Sequence, residues 1–149
     1  MRLAVIPARG GSKRIPRKNV KEFCGKPMIA WSIEGAINSG CFDRIIVSTD
    51  DAEIARVAQQ HGAEVPFMRP ACLSDDHTGT IPVMRHAIES FQEHFGERVH
   101  QVCCLYATAP FIRAYDIRHG LAVLSDTGSD YAFAVTTYAF PIQRALRLT

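Results

Sequence analysis

The chain has 149 residues, of which 47% are hydrophobic and 21% are charged, a composition that is ordinary for a single globular domain. It excludes a disordered tail, a coiled coil and a collagen-like repeat, and no apolar run reaches the length of a membrane span. The formal net charge of +2 hides an asymmetry, because residues 1–26 hold eight Lys and Arg residues against one acid, Glu22. We expect this basic cluster to bind a polyanion, either a nucleic acid or the phosphates of a nucleotide.

Predicted strands and helices alternate along the chain. The strands, which are short apolar runs, are predicted at residues 3–6, 45–48, 65–68, 99–105 and 131–136. The helices, whose apolar residues recur every three or four positions, are predicted at residues 27–40, 50–62, 80–96 and 114–124. Asp50 or Asp51 is expected to cap the second helix and Thr80 the third, while Pro66 puts the third strand at a sheet edge or a bulge.

This alternation predicts an α/β domain with a mainly parallel sheet, right-handed crossovers and helices on both faces. The loops that follow the strands then emerge at the carboxyl edge of the sheet, where folds of this class bind ligands. The loops at residues 7–20, 69–80 and 106–113 should therefore surround one site. After residue 136 no further element is predicted before residue 149, so we expect the chain to be the N-terminal portion of something longer.

The first of these loops has a phosphate-binding pattern, with the sequence Pro-Ala-Arg-Gly-Gly-Ser-Lys-Arg-Ile-Pro-Arg-Lys-Asn. The adjacent glycines, Gly10 and Gly11, allow a tight bend that turns backbone N–H groups toward an anion. The positive charge that a triphosphate needs comes from Arg9, Lys13 and Lys18. The pattern is neither the P-loop, GxxxxGK[ST], nor the dinucleotide-binding GxGxxG.

Other polar residues have simpler interpretations. Arg14 and Arg17 are either part of this site or solvated bystanders, since only alternate side chains of an extended loop face one way. The run Asp75-Asp76-His77 has no third partner at metal-ligand spacing, so a surface loop is the preferred interpretation.

A nucleic-acid-binding module would interleave aromatic residues with basic ones, and Phe23 is the only aromatic residue in the basic cluster. Nucleotide phosphates are therefore the preferred ligand.

Several blocks of sequence together resemble one enzyme family. They are Leu3–Asn19, Gly25–Ile29, Phe42–Asp50, and Arg69-Pro70 with Leu73-Ser74-Asp75. Through these blocks the chain resembles the nucleotidyltransferases that activate nine-carbon acidic sugars with CTP. The resemblance covers essentially the whole chain. The resemblance implies one domain over residues 1–149 with the Rossmann-like, three-layer αβα nucleotide-diphospho-sugar transferase fold. It also implies a reaction in which CTP and a 2-keto nonulosonic acid give the CMP-sugar and pyrophosphate.

Two further segments separate the branches of that family. Cys103–Phe111 and Phe140–Leu146 look most like the pseudaminic acid cytidylyltransferases, which serve bacterial surface glycosylation. The sialic acid enzymes carry a Gln-Pro-Thr-Ser-Pro-type segment after the fourth strand, and this sequence has Tyr106 in place of the glutamine. The less polar run Tyr106–Ala109 suits a sugar without a terminal hydroxyl group. A sialic or legionaminic acid cytidylyltransferase is the alternative.

The resemblance also implies roles for individual residues. It implies that the nucleotide is held by Ala8, Arg9, Gly10, Gly11, Ser12, Lys13, Asn19, Arg69 and Thr80. It implies that catalysis rests on Arg9, Lys13 and Lys18, with Lys18 stabilising charge near the α-phosphate. The residues it implies for the sugar are Tyr106, Thr108 and Arg144. No covalent nucleophile is required, because the anomeric hydroxyl of the sugar attacks the α-phosphorus directly.

The family likeness extends to cofactor and partners. It implies Mg²⁺, with the metal-binding aspartates in a C-terminal segment absent here, so no metal ligand is expected within this chain. It implies a homodimer without nucleic-acid or membrane partners, in a cytoplasm whose reducing conditions suit five cysteines without a C-x-x-C pair. Because a metal clamp stabilises departing pyrophosphate, we expect weak CTP binding with little turnover, or a non-catalytic nucleotide-binding derivative.

Overall fold

The computed structural model describes residues 1–137. Its strands are β1 (Arg2–Pro7), β2 (Glu22–Phe23), β3 (Lys26–Pro27), β4 (Arg44–Ser48) and β5 (Gln101–Cys104). Its helices are α1 (Met28–Ser39), α2 (Ala52–Gln60), α3 (Thr80–Phe95) and α4 (Ala114–Thr127), with a 3₁₀ turn at Ala71–Leu73. None of the helices within residues 1–137 combines the length and the apolar character needed to cross a bilayer.

β1 is the centre of a three-stranded parallel sheet with the order β4-β1-β5. Val5, near its middle, is opposite Ile46 of β4 and Cys104 of β5. Residues 3–6 are completely buried, as expected for a central strand that is covered on both faces. β2 and β3 form a separate antiparallel hairpin. The predicted parallel sheet is confirmed.

The core consists of two layers, one on each face of the sheet. Because successive strand residues point to opposite faces, Ala4 and Ile6 pack with α1, α2 and α4, whereas Leu3 and Val5 pack with α3. Phe91 of α3 is completely buried in the second layer. A sheet between two helical layers is the predicted αβα fold class, which is confirmed.

Local sequence signals set the helix boundaries. α1 and α3 each end at a glycine, Gly40 and Gly96, whose φ values of 64° and 67° lie in the left-handed region that favours glycine. Of the two candidate caps for α2, Asp51 is the one used. Its carboxylate accepts hydrogen bonds from the N–H groups of Glu53 and Ile54, which satisfies two donors of the first helical turn.

The third predicted strand is reduced to isolated pairing. The segment at residues 65–68 belongs to no strand, and only two single bridges form in this region, at Glu64 and Met68. Pro66 has no N–H to donate to a ladder, so continuous pairing is interrupted there.

The strand predicted at residues 131–136 is wrong. Residues 131–137 have no regular secondary structure, and Tyr131, Phe133 and Val135 are 84%, 82% and 82% exposed. An alternating apolar pattern becomes a strand only where a neighbour offers backbone partners and an apolar face. Side chains as exposed as these pack on no such face.

Candidate functional site

A cleft of about 460 Å³ opens at the carboxyl ends of β1 and β5. Its walls come from residues 7–19, which begin at the last residue of β1, residues 69–80, which end at the first residue of α3, and residues 106–108 after β5. These are the three loops that the sequence predicts around one site. Among the described residues that line the cleft, the basic ones are Arg9, Lys13, Arg14, Lys18 and Arg69, and Asp76 is the only acid. The cleft is therefore suited to a polyanionic ligand.

Most of the predicted site residues meet in this cleft. Those that line it are Arg9, Ser12, Lys13, Lys18, Asn19, Arg69, Thr80, Tyr106 and Thr108. Those that belong to the first loop without lining the cleft are Ala8, Gly10 and Gly11. Arg144 lies outside the described residues. Of the two undecided arginines, Arg14 lines the cleft and Arg17 does not.

Two side chains hold the first loop in its bent form. The N–H of Gly10 donates to Oδ1 of Asp50 at 3.0 Å, so this N–H is engaged by the protein itself. The residue Asn19 is almost fully buried, and its Nδ2 donates to the carbonyl of Arg9 at 2.9 Å. The Arg9 carbonyl and the Gly10 N–H belong to one planar peptide group, so the two contacts together hold the backbone immediately after Arg9.

The loop also approaches the N-terminus of α2 closely. A Cβ atom at Gly10 would lie 2.6 Å from Oδ2 and 2.9 Å from Cβ of Asp51, so a larger residue requires displacement. Arg17 binds the same carboxylate, with Nη1 2.5 Å from Oδ2 and Nη2 3.1 Å from Oδ1, and also pairs with Glu53. The hydrogen bond from Arg17 is the largest cause of the lowered pKa of Asp51. Asp51 thus joins the loop to the helix.

Arg69 is the buried cation of the cleft. Its side chain is 4% exposed, with Nη2 3.6 Å from Oδ1 of Asp50, and its Nε donates to Oγ of Ser74 at 3.2 Å. Nη2 is buried without a hydrogen-bond partner among the described residues. Desolvation lowers the pKa of Arg69, and Asp50 opposes this effect. A buried donor of this kind is destabilising unless an acceptor reaches it, so Nη2 is suited to an oxygen atom of a bound molecule.

Two cations of the first loop share one carboxylate of the segment before α3. Nη1 of Arg9 donates to Oδ1 of Asp76 at 2.6 Å and to the carbonyl of Asp75 at 2.8 Å, and Lys13 pairs with Oδ2 of Asp76. These contacts, that of Lys13 first, lower the pKa of Asp76. This role of Asp76 does not follow from the sequence, which predicts only a surface loop at residues 75–77. No local pattern could reveal it, because Arg9 and Asp76 are 67 residues apart.

Thr80 is the first residue of α3 and not its cap, which corrects the prediction. The N-cap is Gly79, which makes no side-chain capping bond. The Thr80 hydroxyl instead lies 3.4 Å from the phenol oxygen of Tyr106, across the cleft that both residues line. The N-terminus of a 16-residue helix therefore borders the cleft, where its unpaired N–H groups favour negative charge.

The described residues do not supply a fitting set of metal ligands. No group of three or more His, Cys, Asp or Glu side chains within residues 1–137 is arranged to hold a metal ion. Asp76, the acid of the cleft lining, has both oxygens engaged by Arg9 and Lys13. Mg²⁺ requires octahedral oxygen ligands, commonly one or two carboxylates with water and phosphate, and this part of the chain offers it no uncommitted carboxylate in the cleft.

Comparison with known proteins gives consistent matches. Residues 3–144 match a family model described as cytidylyltransferase. The chain is 48% identical over 146 residues to a pseudaminic acid cytidylyltransferase of Campylobacter jejuni, covering 98% of this chain and 62% of that protein. It is 42% identical over 126 residues to a CMP-N,N'-diacetyllegionaminic acid synthase of Legionella pneumophila, covering 85% of this chain and 54% of that protein. The chain therefore spans less than two thirds of the length of these curated relatives.

The fold has a counterpart among solved structures. It is similar to a CMP:2-keto-3-deoxy-manno-octonic acid synthetase complexed with CTP, with a TM-score of 0.69 and 26% identity. The match covers 86% of this chain and 48% of that one. This likeness supports the α/β fold described above.

Proposed function

We propose that this chain, which belongs to the cytidylyltransferase family, serves the transfer of a cytidylyl group from CTP to pseudaminic acid. The anomeric oxygen of the sugar forms a bond to the α-phosphorus. The bond from that phosphorus to the oxygen bridging the β-phosphate breaks, pyrophosphate leaves, and the hydroxyl proton passes to solvent. The observation that carries the proposal is the cleft with five basic side chains and one acid at the carboxyl edge of the sheet.

The positions of the cations support their proposed roles toward the phosphates. Arg9 and Lys13 converge on one carboxylate, so their charged ends are close enough to hold one anionic group. Ser12 lies between them in the chain and lines the same cleft. Lys18 lines the cleft without an ion pair to any described residue. Its charge is therefore available where negative charge develops at the α-phosphate, which is the position where stabilisation accelerates transfer.

Residues of the other two loops supply the nucleotide and sugar sides of the proposed site. We assign Arg69 and Thr80 to the nucleotide, the former through Nη2, which lies 3.6 Å from Asp50 and has no hydrogen-bond partner among the described residues. We assign Tyr106 and Thr108 to the sugar. The 3.4 Å contact between Thr80 and Tyr106 supports the assignment, because direct attack requires the two substrates to be adjacent. Arg144 on the sugar side stays a prediction.

Cofactor and assembly stay predictions of the family resemblance. Mg²⁺ would neutralise triphosphate charge and stabilise the leaving pyrophosphate, but residues 1–137 provide no fitting ligands, so no step above is derived through a metal. The homodimer and the cytoplasmic location likewise rest on the resemblance.

Calorimetric titration with CTP, and with ATP as the control nucleotide, tests the nucleotide assignment. We expect saturable binding of CTP and much weaker binding of ATP. Equal affinities for the two nucleotides would contradict the assignment. The low turnover expected from the sequence is tested in the same preparation by CMP-sugar formation, and ready turnover at ordinary enzyme concentrations would refute that expectation.

The acceptor sugar requires its own test, because one of the relatives is named as a legionaminic acid enzyme. CMP-sugar formation would be compared for pseudaminic, legionaminic and sialic acids at equal concentrations, with enough protein to reach measurable turnover. We expect a preference for pseudaminic acid of about tenfold or more, as differences of one or two pocket contacts allow. A preference for either other sugar would reject the assignment in favour of the alternative.

A further inference from the structure

The strongest unassigned contact in the cleft is the one that Asp76 makes. Its two carboxylate oxygens accept separately, Oδ1 from Arg9 at 2.6 Å and Oδ2 from Lys13. Arg9 and Lys13 belong to the loop after β1, whereas Asp76 precedes α3, so the contact joins two walls of the cleft. One anionic group thus bridges the two cations that are proposed for the phosphates.

We propose that Asp76 is an internal competitor for the triphosphate: its carboxylate lies where phosphate oxygens would accept from Arg9 and Lys13, and it must yield them when nucleotide binds. The inference rests on the proposed function in taking a nucleoside triphosphate as the ligand. It adds Asp76, a residue outside the motif of the first loop, as one that sets the affinity of the cleft for phosphate. Carboxylate and phosphate oxygens accept from guanidinium and ammonium groups with similar geometry, which makes the exchange chemically direct.

The local structure holds Asp76 in position for this role. The preceding residue, Asp75, forms a turn in which its Oδ1 accepts from the N–H of His77 at 2.9 Å and from the N–H and hydroxyl of Thr78 at 2.6 and 2.7 Å. Asp75 is therefore committed to the backbone, and Asp76 is the residue of the pair that projects to the cations. Its side chain is 30% exposed and makes no hydrogen bond other than those to Arg9 and Lys13 among the described contacts.

The charge balance of the cleft gives a physical reason for such a competitor. Five basic side chains line the cleft, and like charges in proximity disfavour one another. Asp76 compensates two of them and prevents the loop from binding any small anion tightly. A triphosphate carries more charge and reaches more of the cations than one carboxylate does, so it displaces Asp76. The cost of displacing two partly exposed ion pairs reduces affinity by roughly two- to tenfold.

The test compares Asp76→Asn with Asp76→Glu and Asp126→Asn by calorimetric titration with tripolyphosphate and with CTP. Asn keeps the size of the side chain and removes the charge, whereas Glu keeps the charge. Asp126 is an exposed residue of α4 that does not line the cleft, so Asp126→Asn makes the same change in net charge elsewhere. Tripolyphosphate probes the cations without requiring recognition of cytosine, and far-ultraviolet circular dichroism checks that each variant is folded.

We expect Asp76→Asn to bind both ligands about two- to tenfold more tightly than wild type, with Asp76→Glu and Asp126→Asn close to wild type. Unchanged or weaker tripolyphosphate binding by Asp76→Asn would overturn the inference, as would equal tightening by Asp126→Asn. Absence of tripolyphosphate binding in every variant would also overturn it, because the cations would then form no phosphate site. A further outcome is that CTP and ATP bind with equal affinity while Asp76→Asn still binds tripolyphosphate more tightly than the other variants and wild type. In that case the proposed function fails and the competitor role of Asp76 stands.

Discussion

Replacement of Gly10 by alanine tests whether the first loop is built against the cap of α2. The added Cβ would lie 2.6 Å from Oδ2 and 2.9 Å from Cβ of Asp51. The carboxylate cannot rotate away freely, because its Oδ1 accepts from two N–H groups of α2 and both oxygens bind Arg17. Either the loop shifts, at about 1–3 kcal/mol for overpacking, or Asp51 moves and the cap is weakened by about 1 kcal/mol. We expect Gly10→Ala to reduce the free energy of unfolding by about 1–3 kcal/mol.

Gly11→Ala is the matched control. A Cβ at Gly11 has no neighbouring atom within 4 Å, so the free energy of unfolding should stay within about 0.5 kcal/mol of wild type. Urea unfolding followed by circular dichroism measures both variants, and a change in midpoint at constant slope reports stability. Equal losses for the two variants, or no loss for Gly10→Ala, would refute the close approach between loop and helix. Titration with tripolyphosphate would show whether the displaced loop also loses anion affinity.

Three further substitutions test other contacts of the site. Because Arg17 lowers the pKa of Asp51 below its ordinary value of 3.8, the stability from this group is present above about pH 4 and is lost as pH falls through the folded pKa. Unfolding free energies of Asp51→Asn should therefore fall less steeply than those of wild type from about pH 5 to pH 2, and parallel pH curves would contradict this. Arg69→Lys should weaken CTP binding by about tenfold, because an ammonium group cannot reproduce the several N–H donors of a buried guanidinium. Unchanged CTP affinity in calorimetry would contradict the assignment of Arg69 to the nucleotide. Asn19→Ala should lower the free energy of unfolding by about 1–2 kcal/mol, because it leaves a loop carbonyl without its donor, whereas the exposed Asn38→Ala should not; thermal unfolding of both decides the matter.

The layered fold could be predicted from periodicity alone. The fully apolar run at residues 3–6 indicates a strand covered on both faces, and it is the central strand of the sheet. The spacing of Ile29 and Ile33 indicates the buried face of α1, and both are completely buried. Alternating strands and helices are compatible with only a few sheet topologies, because crossovers between parallel strands are right-handed. The parallel direction of the strands, which puts their carboxyl ends at one edge of the sheet, also brings together the three loops of the cleft.

Features that depend on tertiary partners could not be predicted in the same way. The pairing of Asp76 with Arg9 joins residues 67 positions apart, and nothing in either local sequence announces the other. Thr80 and Gly79 are both acceptable N-cap residues, so local sequence does not distinguish which of these two positions begins α3. The residues at 131–136 have the alternation of a strand, but strand formation requires a neighbour that local sequence does not contain.

The position of β5 at the border of the described sheet has a consequence for colloidal behaviour. One long edge of β5 meets no other strand within residues 1–137, Val102 on it is 43% exposed, and Phe133 and Val135 are also exposed. Uncovered strand edges and exposed apolar, β-prone segments are templates for pairing between molecules. We therefore expect light scattering to rise with protein concentration while the first loop and its cations remain intact. At protein concentrations where scattering has risen, a titration would measure ligand binding by assemblies and not by single molecules. The sheet edge therefore sets an upper limit on the protein concentration at which binding to the cleft can be measured.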